Sequence, residues 1–256
     1  MLQTPNIHLR TLALDRSRIQ ADRFPFTVPF VGTLEQVEFT SSITFLVGEN
    51  GCGKSTFLEA LACAVGSITV GSESLGRDPT LDAVRPLGDA LKLTWSARTG
   101  RGFFMRAEDF FGYVRAMAQK RQALARDLEE TEREYADKSR TAQIYARAAY
   151  AGQIDAIDRA YGDGLDARSH GEAFLDFFQA RFVPGGLYLL DEPEVPLSPL
   201  RQMSLLVLLK QMVDEDAQFV IATHSPILMA YPGATILSMD GEAIETVEYD
   251  DIVTRR

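Results

Sequence analysis

Gly48-Glu49-Asn50-Gly51-Cys52-Gly53-Lys54-Ser55-Thr56 is a complete G-x-x-x-x-G-K-S stretch, and each residue type in it answers a demand of phosphate binding. The glycines let successive backbone N–H groups turn inward around an anion with no Cβ in the way. The Lys54 ammonium reaches β- and γ-phosphates, and the Ser55 hydroxyl ligates Mg²⁺. Asn50, Gly51, Cys52, Gly53 and Thr56 complete the cradle. The flanks agree. Ile43-Thr44-Phe45-Leu46-Val47 is a short apolar run of the kind a buried strand needs. After the loop, Phe57, Leu58, Leu61, Ala62 and Val65 fall on one helical face. Strand, glycine loop and helix, in that order, aim a helix N-terminus at bound phosphate.

Three further stretches carry chemistry. Leu187-Tyr188-Leu189-Leu190-Asp191-Glu192-Pro193 places two carboxylates at the C-terminal end of a buried strand, where parallel sheets put their ligands. Asp191 is positioned for the Mg²⁺ shell. Glu192, one residue on, can face a water attacking the γ-phosphate. Ala222-Thr223-His224-Ser225-Pro226 follows a second apolar strand and holds one of only three histidines in the chain. Ser169-His170-Gly171-Glu172 precedes a helix bearing Ala173, Phe174, Phe177 and Phe178. It is a Ser-x-x-Glu capping box. A helix start with a serine hydroxyl, free N–H groups and a small glycine is also an anion site.

Between these stretches the pattern predicts an α/β chain. Ile7, Leu9 and Thr11 alternate with polar neighbours, as do Val37 and Phe39, and read as strands. Gly66 to Gly88 is rich in Gly, Ser, Asp and Pro and reads as loop. Leu91, Leu93, Trp95 and Ala97 alternate with Lys92, Thr94, Ser96 and Arg98, the mark of a half-exposed antiparallel strand. Phe110 to about Tyr161 has no proline, is dense in Ala, Arg, Glu and Gln, and reads as helix. A helix over Pro199–Val213 between two apolar strands implies a parallel β-helix-β unit. Asp240-Gly241 between Ala234–Met239 and Glu242–Glu248 predicts a hairpin.

Composition bounds the function. The chain has 256 residues, a formal net charge of −10 and 46 % hydrophobic residues, ordinary for a globular protein with a full core. No run of 18 apolar residues occurs, so no membrane span is expected. The N-terminus lacks a basic-then-apolar signal pattern. Two cysteines, Cys52 and Cys63, make neither a disulfide framework nor a metal-ligand spacing, and the expected compartment is the reducing cytoplasm. The acidic total argues against nucleic acid binding over the bulk surface. From Arg98 to Arg147, however, eleven Lys/Arg stand against eight Asp/Glu, a mildly basic stretch within the helical insertion.

The ordered set of phosphate loop, Ser-x-Gly-Glu, apolar-Asp-Glu-Pro and strand-Thr-His-Ser resembles the nucleotide-binding domain of ABC-type ATPases over Ile7 to about Glu248. It is most similar to the soluble, non-transporter branch that includes RecF-like, SMC-like and OLD-like ATPases. Gly102-Phe103-Phe104-Met105-Arg106-Ala107-Glu108 and Ser169-His170-Gly171-Glu172 look like a family of stand-alone ATPases within it. The resemblance implies one ABC-type domain over 1–256. Its core sheet would be mostly parallel, with an antiparallel β-subdomain and a helical insertion over 108–168. It further implies ATP and Mg²⁺ as ligands and a head-to-tail homodimer with ATP between subunits. Ser55 and Asp191 would hold the metal. Ser169 and Gly171 would touch the γ-phosphate of the opposing copy, Glu192 would polarise the attacking water, and His224 would contact the γ-phosphate and that water. The segment after Pro193 would cross the dimer, with Ser198-Pro199 starting a helix there. A partner protein or nucleic acid would bind through the insertion. His170 and Glu172 depart from the commonest signature, and Arg106 or Glu108 stands where a metal-contacting Gln is usual. Phe24, Phe26 and Phe30 are the aromatics available to stack on adenine. An ATP-timed interaction switch and a transporter subunit are the alternative readings of the same motifs.

Overall fold

The phosphate-loop strand over 43–47 forms, and the main sheet is built outward from it. In the computed structural model, which describes residues 7–20, 22–70, 79–161 and 170–254, the chain divides into two compact units. These are Met1–Ala107 with Phe182–Arg256, and Glu108–Arg181.

The first unit contains β1 (Leu9–Leu14), α1 (Pro29–Thr33), β2 (Gln36–Glu38), β3 (Ile43–Val47), α2 (Lys54–Val65), α3 (Arg85–Ala90), β4 (Leu91–Trp95) and β5 (Phe104–Arg106). The chain then enters the second unit through α4 (Ala107–Glu134), α5 (Arg140–Tyr161) and α6 (His170–Arg181). It returns to the first through β6 (Leu187–Asp191), α7 (Pro199–Asp214), β7 (Gln218–Ala222), α8 (Pro226–Met229), β8 (Thr235–Ser238), β9 (Glu245–Val247) and α9 (Tyr249–Thr254).

Six strands form one sheet in the order β5-β6-β7-β3-β8-β9. Every neighbouring pair is parallel except β8 with β9. Each residue of β3, β6 and β7 is buried, as expected of parallel strands shielded on both faces. This explains why their sequences are continuous apolar runs rather than alternations. Helix α2 buries Phe57, Leu58 and Leu61, and α7 buries Leu205, Leu209 and Met212. The antiparallel subdomain is a separate three-stranded sheet, β2-β1-β4. Gln218, wholly buried in β7, joins the two sheets. Its amide accepts from Leu9 N at 2.8 Å and donates to Leu9 O at 3.0 Å, a side chain standing in for a missing strand neighbour.

Several expectations are corrected. The β1 alternation does not run straight through Ile7, Leu9 and Thr11. The pairing with β4 shifts register between Leu9 and Thr11, so Leu9 faces inward and thereafter Leu12 and Leu14 do. An extra residue in one strand reverses the parity of those that follow it. The stretch read as loop to Gly88 contains α3, whose Leu87 and Ala90 are buried. Gly88 allows this helix close to α2, since a Cβ there would lie 2.7 Å from Cys63 Cβ and 2.8 Å from Ala60 O. The predicted long helix is two, broken over 135–139, where Ser139 Oγ accepts from Ala142 N at 3.3 Å and restarts the turn. Asp240-Gly241 is not a two-residue turn: β8 and β9 pair from Ser238 with Glu245 onward, leaving a longer connection. Ser198 precedes Pro199 at the start of α7, but its side chain makes no capping bond.

The second unit has its own core. Phe110 on α4 meets Phe174 and Phe177 on α6 edge-on, at 4.6 and 5.6 Å between ring centroids. Arg121 and Asp158 clamp α4 to α5 through two bonds of 2.5 and 3.0 Å.

Candidate functional site

Strand order alone gathers the chemistry. β6, β7 and β3 are consecutive and parallel, so their C-terminal ends share one edge of the sheet. The phosphate loop leaves β3, the carboxylate pair ends β6, and Thr223-His224 ends β7, which lies between them. A cleft of about 900 Å³ runs along this edge, lined by Gly48, Glu49, Asn50, Glu192, His224 and Asp240 among others.

In the phosphate loop Gly51 and Gly53 have φ of +87° and +104°. Gly53 is the residue before α2, and a Cβ on it would meet Val28 Cγ1 at 2.6 Å and the Phe30 ring at 2.8 Å. No side chain caps α2 there, so the N–H groups of its first turn remain available to an anion. Lys54 is buried, its Nζ donating to Gly48 O at 2.7 Å and Glu49 O at 3.0 Å. The ammonium is thus folded over the loop that presents it. Cys52 Sγ stands 3.8 Å from that nitrogen. Asn50 lines the cleft, and Ser55 and Thr56 open α2 behind Lys54.

Asp191 is buried, and its Oδ1 has no hydrogen-bond partner among the described residues. Burial pushes its carboxyl from 3.8 up to about 6; the Ser55 hydroxyl bonded to it opposes the rise, and the neighbouring Glu192 and Glu59 add to it. A desolvated carboxylate with one oxygen unspent, bonded to the helix-start serine, fits a divalent cation. Mg²⁺ commonly takes few protein ligands and completes its shell with water and phosphate oxygens.

Glu192 has φ +51°, the left-handed region, at a cost of roughly 1–2 kcal/mol for a residue with a Cβ. Its N–H donates to Ala222 O at 2.9 Å, which holds the turn against that strain. The turn lifts the side chain off the sheet edge, bringing Glu192 Oε1 within 3.7 Å of His224 Nε2. Both side chains remain partly open to solvent.

Other expected residues fall elsewhere. Arg106, at the end of β5, is ion-paired with Glu59 at 2.9 Å and bonded to Thr80 Oγ1 at 2.8 Å. As a cation it neutralises Glu59 rather than ligating a metal. Glu108 lies in the first turn of α4 in the other unit. Phe26 and Phe30 are core residues, Phe30 packing edge-on against Phe57, whereas Phe24 is exposed. Gly171 lies in the first turn of α6, while Ser169 falls outside the described residues.

Two acids were not anticipated. Glu194 Oε1 accepts from Thr223 Oγ1, His224 N and Ser225 N at 2.7, 2.6 and 3.1 Å. Asp240 Oδ1 accepts from Glu49 N at 2.5 Å, tying the β8 exit to the phosphate loop. In the sequence Asp240 reads only as half of an Asp-Gly turn. The one hint at Glu194 is that it is the third acid in a four-residue exit, Asp-Glu-Pro-Glu.

Comparison with known proteins agrees with this geometry. Residues 29–85 match the family model described as "AAA domain". Residues 173–230 match that described as "AAA domain, putative AbiEii toxin, Type IV TA system". The first segment holds the phosphate loop; the second holds Asp191, Glu192 and His224. No curated protein matches the chain. Among solved structures, the Smc head domain of Pyrococcus furiosus, with an extended coiled coil and bound to the C-terminal domain of ScpA, is 13 % identical. The match has a TM-score of 0.51 and covers 97 % of this chain and 98 % of that one. The SMC head domain of Thermotoga maritima is 17 % identical, covering 94 % and 100 % at a TM-score of 0.49. An ATP-binding cassette of an ABC transporter in its ADP conformation is 13 % identical, covering 93 % and 89 % at 0.46. No helix among the described residues is long and apolar enough to cross a membrane. With a phosphate loop, two strand-end carboxylates and a strand-end histidine brought to one edge of a mostly parallel sheet, the chain is a P-loop ATPase with the fold of an SMC head domain.

Proposed function

We propose that this ATPase hydrolyses ATP through Glu192 and His224, within a homodimer that closes on ATP and opens after hydrolysis, in the service of a soluble partner. The observation that carries the hydrolytic assignment is the 3.7 Å approach of Glu192 Oε1 to His224 Nε2 at the mouth of the cleft, one residue beyond the buried Asp191.

The roles follow from the surroundings. Lys54 exchanges the carbonyls of Gly48 and Glu49 for phosphate oxygens, so binding replaces two neutral acceptors by charged ones. Loop amides and the uncapped start of α2 hold the remaining phosphate charge. Ser55 and Asp191 are the residues that would hold Mg²⁺, which when bound neutralises charge on the phosphate oxygens. Glu192, left-handed and partly solvated, accepts hydrogen bonds from a water and orients it. His224 donates from Nε2 towards the same place. Dimer formation rests on the resemblance of Ser169-His170-Gly171-Glu172 to a signature that binds phosphate from the opposing copy.

Glu192→Gln tests the hydrolytic role. The amide preserves shape but is a far weaker base, so turnover is expected to fall on the order of 100-fold or more while ATP stays bound. Single-turnover assays with bound-nucleotide analysis read both quantities. Wild-type turnover in this variant would remove Glu192 from the chemistry.

A further inference from the structure

His224 sits on a loop, and a loop side chain is only as well placed as its backbone. What fixes this backbone is Glu194. It leaves β6 just beyond the carboxylate pair and turns back beneath the end of β7. One of its oxygens, Oε1, accepts from Thr223 Oγ1, His224 N and Ser225 N together, which is the arrangement of an anion in a nest of backbone donors. Thr223 Oγ1 in turn accepts from Ser225 N at 2.9 Å. A second prong comes from α7: Ser225 Oγ donates to Gln202 Oε1 at 2.5 Å, and Gln202 Nε2 donates to Leu197 O at 3.2 Å. The segment from Glu194 to Gln202 therefore grips the β7 exit on both sides of His224.

Given the hydrolytic role of His224 on which it rests, we propose that Glu194 is a positioning residue for ATP hydrolysis. Its carboxylate sets the Thr223–Ser225 backbone so that the His224 ring stands beside Glu192. Gln202 completes the grip and links it to the loop that follows Pro193. Glu194 touches neither nucleotide nor water in this assignment. It acts on catalysis only through His224.

The experiment compares Glu194→Ala, Glu194→Gln, His224→Ala and the Glu194→Ala/His224→Ala double variant in steady-state turnover of Mg-ATP. The His224 ring signal is followed by NMR in the nucleotide-free protein and assigned by its loss in His224→Ala. Glu194→Ala is expected to lower kcat on the order of 100-fold, as misplacement of a reacting group does, with KM for ATP little changed. The double variant should be no slower than His224→Ala alone, because both remove the same contribution. Glu194→Gln, whose amide oxygen still accepts, should restore most of the rate. The His224 signal should shift in Glu194→Ala and hold its place in Glu194→Gln. Additive losses in the double variant, or an unmoved His224 signal in Glu194→Ala, would overturn the proposal. If Glu194→Ala does not fold, Thr223→Val carries the comparison. Loss of that hydroxyl should move the same signal, and a signal left in place would equally overturn it. Wild-type turnover in His224→Ala would instead sink the hydrolytic role of His224 itself, a separate failure.

Discussion

Asp191 ends β6 with its carboxyl almost wholly removed from water, and burial raises its pKa from 3.8 to about 6. The sign of the consequence follows from linkage. Below pH 3.8 the group is neutral in folded and unfolded chains alike. Between 3.8 and 6 the unfolded chain loses the proton while the folded one retains it, so stability falls as pH rises. Above about 6 the full penalty of roughly 3 kcal/mol is present in the nucleotide-free protein. Asp191→Asn should therefore melt higher than wild type at pH 8 without nucleotide or Mg²⁺, and the gain should shrink at pH 5 and vanish towards pH 4. The same variant should lose Mg²⁺-dependent turnover. Equal melting at pH 8 would mean that water reaches the carboxylate and relieves the burial. Asp191 and Glu192 were legible in the sequence because each stands next to an apolar run that fixes its place on a sheet edge. Glu194 was not, because its donors lie 29 to 31 residues downstream, and a strand-order juxtaposition leaves no local periodicity.

At the scale of elements, the strands of the parallel core were readable because burial on both faces leaves unbroken apolar runs. Elements defined by a partner were not. β5, only Phe104–Arg106, exists by pairing with β6, and α3 exists because Gly88 lets it approach α2. The helical hairpin shows how far a window can mislead. The basic excess counted from Arg98 to Arg147 includes Arg98, Arg101 and Arg106, which belong to the other unit. Over Glu108–Arg181 eleven Lys/Arg face fourteen Asp/Glu, so the unit is acidic. Three of its cations are also engaged: Arg121 with Asp158, Arg147 with Glu132 at 3.5 Å, and Arg133 with Glu129 at 3.6 Å. A surface of this kind suits a protein partner of mixed charge. The expected outcome is that duplex DNA neither stimulates ATP turnover nor binds saturably at an ionic strength of about 0.15 M, read by fluorescence anisotropy. Reversing Arg126 and Arg133 to Glu should leave basal turnover intact. Saturable micromolar DNA binding that these reversals abolish would restore the nucleic acid reading.

At the scale of the whole molecule, the question is whether one copy suffices. The unit that binds ATP brings phosphate-loop amides, Lys54, Asp191, Glu192 and His224 to one edge. His170, Gly171 and Glu172 open α6 in the other unit. We expect the active species to be two chains, with ATP bridging the phosphate loop of one copy and Ser169 and Gly171 of its partner. Glu192→Gln is the form in which to see it, since in the proposed dimer ATP that is not hydrolysed would keep the pair closed. Light scattering with Mg-ATP should show the mass rising from 28.4 kDa towards twice that value, and ADP should not produce the rise. Adding Ser169→Arg to this background should hold the protein monomeric while fluorescent-nucleotide titration still shows ATP bound. In the dimer that the resemblance implies, a long cation at position 169 would obstruct the second copy but not the first copy's own loop. Persistence of a monomer at micromolar protein with ATP demonstrably bound would refute the closed dimer. It would leave the hydrolytic residues as assigned, acting within a single chain.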